Sequence, residues 1–184
     1  TSIDSTQTSV DAATHIAYQT YPVFAFDNTG VSTVLTVQTN YLAGKIVVSN
    51  PGDKDIIFGA DNEIVVGVQL AATSLTDATD VVFAQVDGVN IDVDLETGAA
   101  TGSTSFTLGF DTNTMTIPAG GSKTIYVYFD TGGATTAGDT LQLWLSDAAA
   151  TNVEYSISTA GAGNDVGTYV FKPDIYGPTH LSPL

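Results

Sequence analysis

The sequence contains no cysteine and no arginine, and its only lysines are Lys45, Lys54, Lys123 and Lys172. Without thiols there are no disulfides, no thiolate metal sites and no thiol nucleophile. The four cations stand against twenty acidic residues, for a net charge of −16. Such a surface repels phosphate, so neither nucleic acid nor an anionic lipid surface is expected as a partner. No apolar run approaches the roughly 18 residues of a membrane span, and no membrane span is expected. The start at Thr1 fits a mature, soluble chain.

Catalytic residues are equally scarce. The histidines are His15 and His180, one near each end, and neither an H-E-x-x-H pair nor a G-x-S-x-G elbow occurs. Glutamates number three, Glu63, Glu96 and Glu154, and most aspartates fall in turns or at outward strand positions. Neither a Ser-His-Asp triad nor a glycosidase carboxylate pair is indicated, and the chain is expected not to be an enzyme. There is no N-x-S/T sequon, so N-linked glycan is not expected.

What is abundant is Thr, Val, Ala and Gly, a composition suited to half-buried strands. At 184 residues the chain matches one domain, able to bury roughly 70% of its extended surface without staples. Short apolar or alternating runs lie between turn residues, as in Val31–Thr39, Ile64–Leu70 and Ile125–Phe129, and none carries a helical stripe. The sharpest local signal is Val86-Asp87-Gly88-Val89, where Asp-Gly supplies both positive-φ positions of a type I′ hairpin. Counting outward pairs Val86 with Val89, Ala84 with Ile91 and Val82 with Val93 on one apolar face, with Phe83 out of place among the polar residues. Turns are also expected at Asn50–Asp53, Pro118–Gly121 and Thr131–Gly133. Strands recurring every ten to fifteen residues, without helical crossovers, predict an all-β fold. The expected form is an antiparallel immunoglobulin-like β-sandwich of seven to ten strands, with a jelly-roll-like arrangement as its variant.

The ends differ from the middle. Residues 1–26 read as an extended segment in which Pro22 interrupts any ladder, residues 27–165 as the sandwich, and residues 166–184 as an extended proline-rich segment. Apolar residues in both ends call for a surface to cover them.

Two outward-facing sets carry candidate binding chemistry. Asn90, Asp92, Asp94 and Glu96 share one strand face, where Asp92, Asp94 and Glu96 could offer oxygen ligands to calcium, although a solvated acidic face explains the same spacing. Asp111-Thr112-Asn113 is a weaker oxygen cluster. If Ile125, Val127 and Phe129 point inward, Tyr126 and Tyr128 point outward, and by the same rule Trp144 points outward from Leu141, Leu143 and Leu145. On neighbouring strands these three rings would form a platform for glycans or a partner chain.

The run Lys45–Ile56, with its V-x-N-x-G-x-x-D turn at Val48, Asn50, Gly52 and Asp55, resembles a strand–turn–strand of immunoglobulin-like modules in secreted microbial proteins. Ile117–Val127 resembles a later hairpin of the same modules. The two cover under a fifth of the chain and recur in stalks, adhesins, surface-layer proteins and pilus subunits. The resemblance implies an extracellular or cell-surface location and a structural subunit of a filament, pilus or surface layer, its copies joined by β-strand donation. The partners would then be copies of the chain itself, with Ile16, Tyr18, Val170, Phe171, Ile175 and Tyr176 as inserted anchors. The alternative is a carbohydrate-binding or adhesive module using Tyr126, Tyr128 and Trp144 on cell-surface glycans, with or without calcium.

Overall fold

The computed structural model describes residues 20–60, 62–71, 82–95, 102–145, 153–157, 165–168 and 174–183. Among these residues the regular structure is entirely β: β1 (Val23–Phe26), β2 (Tyr41–Ser49), β3 (Ile56–Phe58), β4 (Glu63–Leu70), β5 (Val82–Val86), β6 (Val89–Leu95), β7 (Gly102–Gly109), β8 (Met115–Ile117), β9 (Ser122–Phe129), β10 (Thr140–Leu145), β11 (Glu154–Ile157), β12 (Asp165–Thr168) and β13 (Ile175–Leu181). Nine form one antiparallel sheet in the order β1-β2-β9-β5-β6-β7-β4-β10-β13, and four form a second in the order β12-β11-β3-β8. Thirteen strands exceed the expected seven to ten because three- and four-residue strands such as β3, β8 and β11 are too short to show alternation.

The larger sheet curls until its two edge strands, β1 and β13, meet. Glycine makes that approach feasible. A Cβ on Gly177 of β13 would stand 3.1 Å from the Phe26 ring of β1, and one on Gly44 of β2 would stand 3.0 Å from Leu143 of β10. The result is a nearly closed barrel, a jelly-roll-like variant of the expected sandwich, and both segments read as extended ends supply a strand to it.

Alternation fills the interior. Ile125, Val127 and Phe129 of β9 and Leu141, Leu143 and Leu145 of β10 are buried, as expected, against Ile46, Val48, Val66 and Leu108. The small sheet adds Ile56, Phe58, Met115, Ile117 and Tyr155 to the same core, with the Phe58 ring 5.2 Å from Phe110 and 6.3 Å from Tyr155. Burial on this scale is the main stabilising term, at roughly 25 cal/mol per Å² of apolar surface.

The type I′ hairpin forms as the dipeptide dictates, with Asp87 at φ 53° and Gly88 at φ 79°. The pairs Val86–Val89 and Ala84–Ile91 hold, and the β5–β6 register ends there, with Val82 paired to Phe129 of β9 and Val93 to Leu108 of β7. Val89 is exposed rather than apolar-face core. The two segments that carried the family resemblance lie side by side as β2 and β9, tied by the buried Asn50. Its side-chain amide donates to the carbonyls of Lys54 (2.7 Å) and Ile117 (3.0 Å), and its backbone pairs with Gly120 and Gly121.

Candidate functional site

The region where β13 lies on the barrel holds the most unusual polar chemistry among the described residues. Pairing between β2 and β9 steps from Leu42–Tyr128 to Gly44–Val127, so Ala43 is an extra residue, a β-bulge. The bulge changes the phase of the strand: Tyr41 and Ala43 face inward before it, Ile46 and Val48 after it. It also leaves the Ala43 carbonyl available to another partner.

That partner is His180. Its Nε2 lies 2.8 Å from the Ala43 carbonyl oxygen, which only accepts, so Nε2 carries a proton and donates. Nδ1 lies 2.6 Å from the Tyr41 hydroxyl oxygen. The Tyr41 oxygen is also 2.8 Å from the Ser32 carbonyl and 3.1 Å from that of Val34, and Nδ1 is 2.6 Å from Ser32 O. The two rings meet edge to face at 5.2 Å. Burial pushes the His180 imidazole below its ordinary value, with the Ala43 and Ser32 carbonyls opposing the shift. Burial likewise pushes the Tyr41 hydroxyl up to about 12, against the Ser32 hydrogen bond.

β13 is held along both sides. It pairs with β10 from Leu145–Ile175 to Thr140–Leu181, with an extra residue on β13 between the Trp144–Tyr176 and Gln142–Thr179 pairs. This irregularity, on an edge strand, accommodates Pro178, which has no N–H to give a ladder. Opposite β10, the Leu181 N–H donates to Thr33 O and its carbonyl accepts from Leu35 N–H, both at 2.9 Å, forming a parallel bridge between Val34 and Leu181. Beyond the strand, Ser182 N–H donates to Asp139 O at 2.8 Å. The last strand therefore fills a slot between β10 and residues 33–35, with the His180 ring fully buried beneath it.

Of the expected contact residues, Ile175 and Tyr176 lie on β13, whereas Ile16, Tyr18, Val170 and Phe171 lie outside the described residues. Ile175 packs on the core, and Tyr176 is 55% exposed, its hydroxyl donating to Asp174 at 3.0 Å. The three platform rings do not come together. β9 and β10 are not neighbours, since β5, β6, β7 and β4 stand between them in the sheet order. Trp144 lies across Gly67, where a Cβ would sit 2.6 Å from the indole Nε1, and its ring centroid is 6.4 Å from that of Tyr176. Tyr128 instead stacks on Phe83, centroids 4.7 Å apart and planes within 8°, which explains the aromatic that looked misplaced in its hairpin. Tyr126 receives Lys45 Nζ at 5.8 Å from its centroid.

The two oxygen-rich clusters bond to each other. The Asp92 carboxylate accepts the Thr112 backbone N–H and hydroxyl, both at 3.1 Å, and Asn113 donates to the Asn90 carbonyl at 2.7 Å. Glu96 lies outside the described residues, and Asp94 is exposed. Among the described residues no group of three or more His, Cys, Asp or Glu side chains is placed to hold a metal ion. Among the described residues the His180 ring bonds the Tyr41 hydroxyl and the Ser32 and Ala43 carbonyls, and no carboxylate or serine hydroxyl. No described helix is long and apolar enough to cross a membrane.

The sequence places His180 only within the extended proline-rich end, 166–184, and its anchoring role was missed. The available signal was an imidazole at the end of a proline-broken run, together with the change of inward phase between Ala43 and Ile46.

No protein-family model and no curated protein matches the sequence. Among solved structures the chain is similar to a variant of BcpA, the major pilin subunit of Bacillus cereus, at 12% identity and a TM-score of 0.35. That alignment covers 89% of this chain and 40% of the pilin. It is also similar to ACE19, the collagen-binding subdomain of the Enterococcus faecalis surface protein ACE, at 9% identity and a TM-score of 0.29, covering 93% of this chain and all of that one.

Proposed function

We propose that this chain is a structural subunit of an extracellular filament, pilus or surface layer, and that β13 is the element exchanged between copies. The observation that carries the reading is the slot between β10 and residues 33–35, which β13 fills with a buried imidazole. Because β13 ends the sheet order, a second copy can supply it without altering the neighbours of any other strand. The same bonds then form between chains as within one, which is the low-cost route to association by swapping. Main-chain pairing gives strength where the sequence offers no disulfide, and His180 fixes the register, since only one alignment places its ring under the Ala43 bulge. Ile175 and Tyr176 travel with the exchanged strand, and Trp144, beside Tyr176, belongs to the surface that receives it.

The test compares the full chain with one ending at Pro173, by light scattering and negative-stain microscopy. The full chain is expected to form polymers. The shortened chain is expected to remain monomeric and to bind a peptide spanning Asp174–Leu184 at one per molecule. Polymers of unchanged length after the truncation contradict the reading, as does a strictly monomeric full chain.

A further inference from the structure

We propose that the outer face of β9 is a binding groove for a neutral oligosaccharide, centred on Tyr126 and Tyr128. A shallow groove of about 540 Å³ runs over this face, lined by these two rings with Gln85, Asp87, Lys123 and Thr124 among others. That volume falls within the roughly 300–1,000 Å³ of small-molecule sites.

The chemistry selects the ligand class. Tyr126 and Tyr128 are two residues apart on one strand, so both side chains leave the same face, from backbone positions about 6.6 Å apart along the strand. The Tyr128 ring is fixed by stacking on Phe83, and Tyr126 lies directly between Lys45 and Gln85 in the register. Gln85 is itself held by donation to Asn90 at 2.8 Å, which leaves its carbonyl oxygen as an acceptor at the groove wall. Hydroxyl, amide and charged side chains outnumber the two rings, so the lining is too polar for an apolar helix or lipid. A sugar ring, with an apolar C–H face and a rim of hydroxyls, matches stacking surfaces bordered by donors and acceptors.

Charge excludes the other polymers. Lys123 of the groove is paired with Asp87, Lys45 beside Tyr126 lies 4.0 Å from Asp27, and the whole chain carries −16, so a polyanionic glycan or nucleic acid meets a repulsive field. Trp144 has no part in the groove, because β10 is not adjacent to β9. The inference is independent of strand exchange, since β9 pairs with β2 and β5 and not with β13.

The experiment titrates the full chain with neutral oligosaccharides of the cello-, xylo-, manno- and malto-series and with hyaluronan and heparin fragments, following amide shifts by NMR. At least one neutral series is expected to bind and to shift amides of β5 and β9. Tyr126→Ala and Gln85→Ala are each expected to weaken that binding by about tenfold, the equivalent of roughly 1.4 kcal/mol. Gln85→Ala removes only a half-exposed amide, so it reads the groove even where Tyr126→Ala disturbs the sheet. Failure of every neutral series up to millimolar concentration overturns the proposal. Binding confined to the anionic fragments and lost in Lys123→Gln, or binding that both groove variants leave intact, overturns it equally.

Discussion

His180 Nε2 donates to the carbonyl oxygen of Ala43 across 2.8 Å, at the one residue that the ladder between β2 and β9 skips. A bulge on one strand and an imidazole on another thus satisfy each other inside the barrel. Replacing the ring by a methyl group leaves the Ala43 carbonyl without its donor in a buried cavity, while the Tyr41 hydroxyl keeps the Ser32 carbonyl at 2.8 Å. His180→Ala is expected to lower stability by about 2–3 kcal/mol, read as a shift in urea midpoint at unchanged slope. The amide of Leu181 is expected to lose its protection from hydrogen exchange before those of β9 do.

The same node has a pH signature. Burial lowers the His180 value below its ordinary 6.5, so the unfolded chain binds more protons than the folded one as the solution is acidified below 6.5. The contribution is complete above pH 6.5 and is lost as pH falls through the folded-state value. Tyr41 acts at the other end: with its hydroxyl raised from 10.0 to about 12, its contribution is complete below pH 10 and declines between pH 10 and about 12. Urea midpoints from pH 5 to 12 check both. Tyr41→Phe is expected to remove part of the alkaline decline, and His180→Ala part of the acid decline, the remainder belonging to the other tyrosines and lysines and to the carboxylates.

Trp144 depends on the absence of a side chain at Gly67. With a Cβ there only 2.6 Å from the indole Nε1, Gly67→Ala forces the ring off the sheet. The cost is expected to be about 1–3 kcal/mol, as for overpacking elsewhere. The sequence has a single tryptophan, so its emission reports the displacement directly, as a shift toward the wavelength of solvent-exposed indole.

The fold was legible where the determinants are local. The Asp87-Gly88 turn, the inward rows Ile125-Val127-Phe129 and Leu141-Leu143-Leu145, and the turns at Asn50 and Pro118 follow from neighbouring residues alone. Strand order is a long-range property, which is why Tyr126, Tyr128 and Trp144 could each be placed outward but not placed relative to one another. Phe83 looked like an error in its own hairpin and is explained only by Tyr128 on the next strand. The His180 node was hidden for the same reason: its partners at Ser32, Tyr41 and Ala43 lie more than 130 residues earlier, and two of the three partner atoms are backbone carbonyls, which leave no mark in a sequence.

Ser182, just beyond β13, offers a contrasting substitution. Its hydroxyl is buried without a hydrogen-bond partner among the described residues. Ser182→Ala removes that unmet group and is expected to leave stability unchanged or raise it by on the order of 1 kcal/mol, measured by the same urea titration. A loss comparable to that of His180→Ala would mean that the hydroxyl is bonded.

The exchange of β13 between copies is tested most directly by a disulfide across the parallel bridge of Val34 and Leu181, two exposed residues in a chain with no other thiol. Val34→Cys and Leu181→Cys are made in separate full-length chains, mixed under assembly conditions, oxidised and separated without reductant. Strand exchange predicts a covalent dimer of one variant with the other, and a ladder of higher species when both cysteines are carried by one chain. A double variant that runs only as an internally bridged monomer, with no dimer from the mixed single variants, would contradict it.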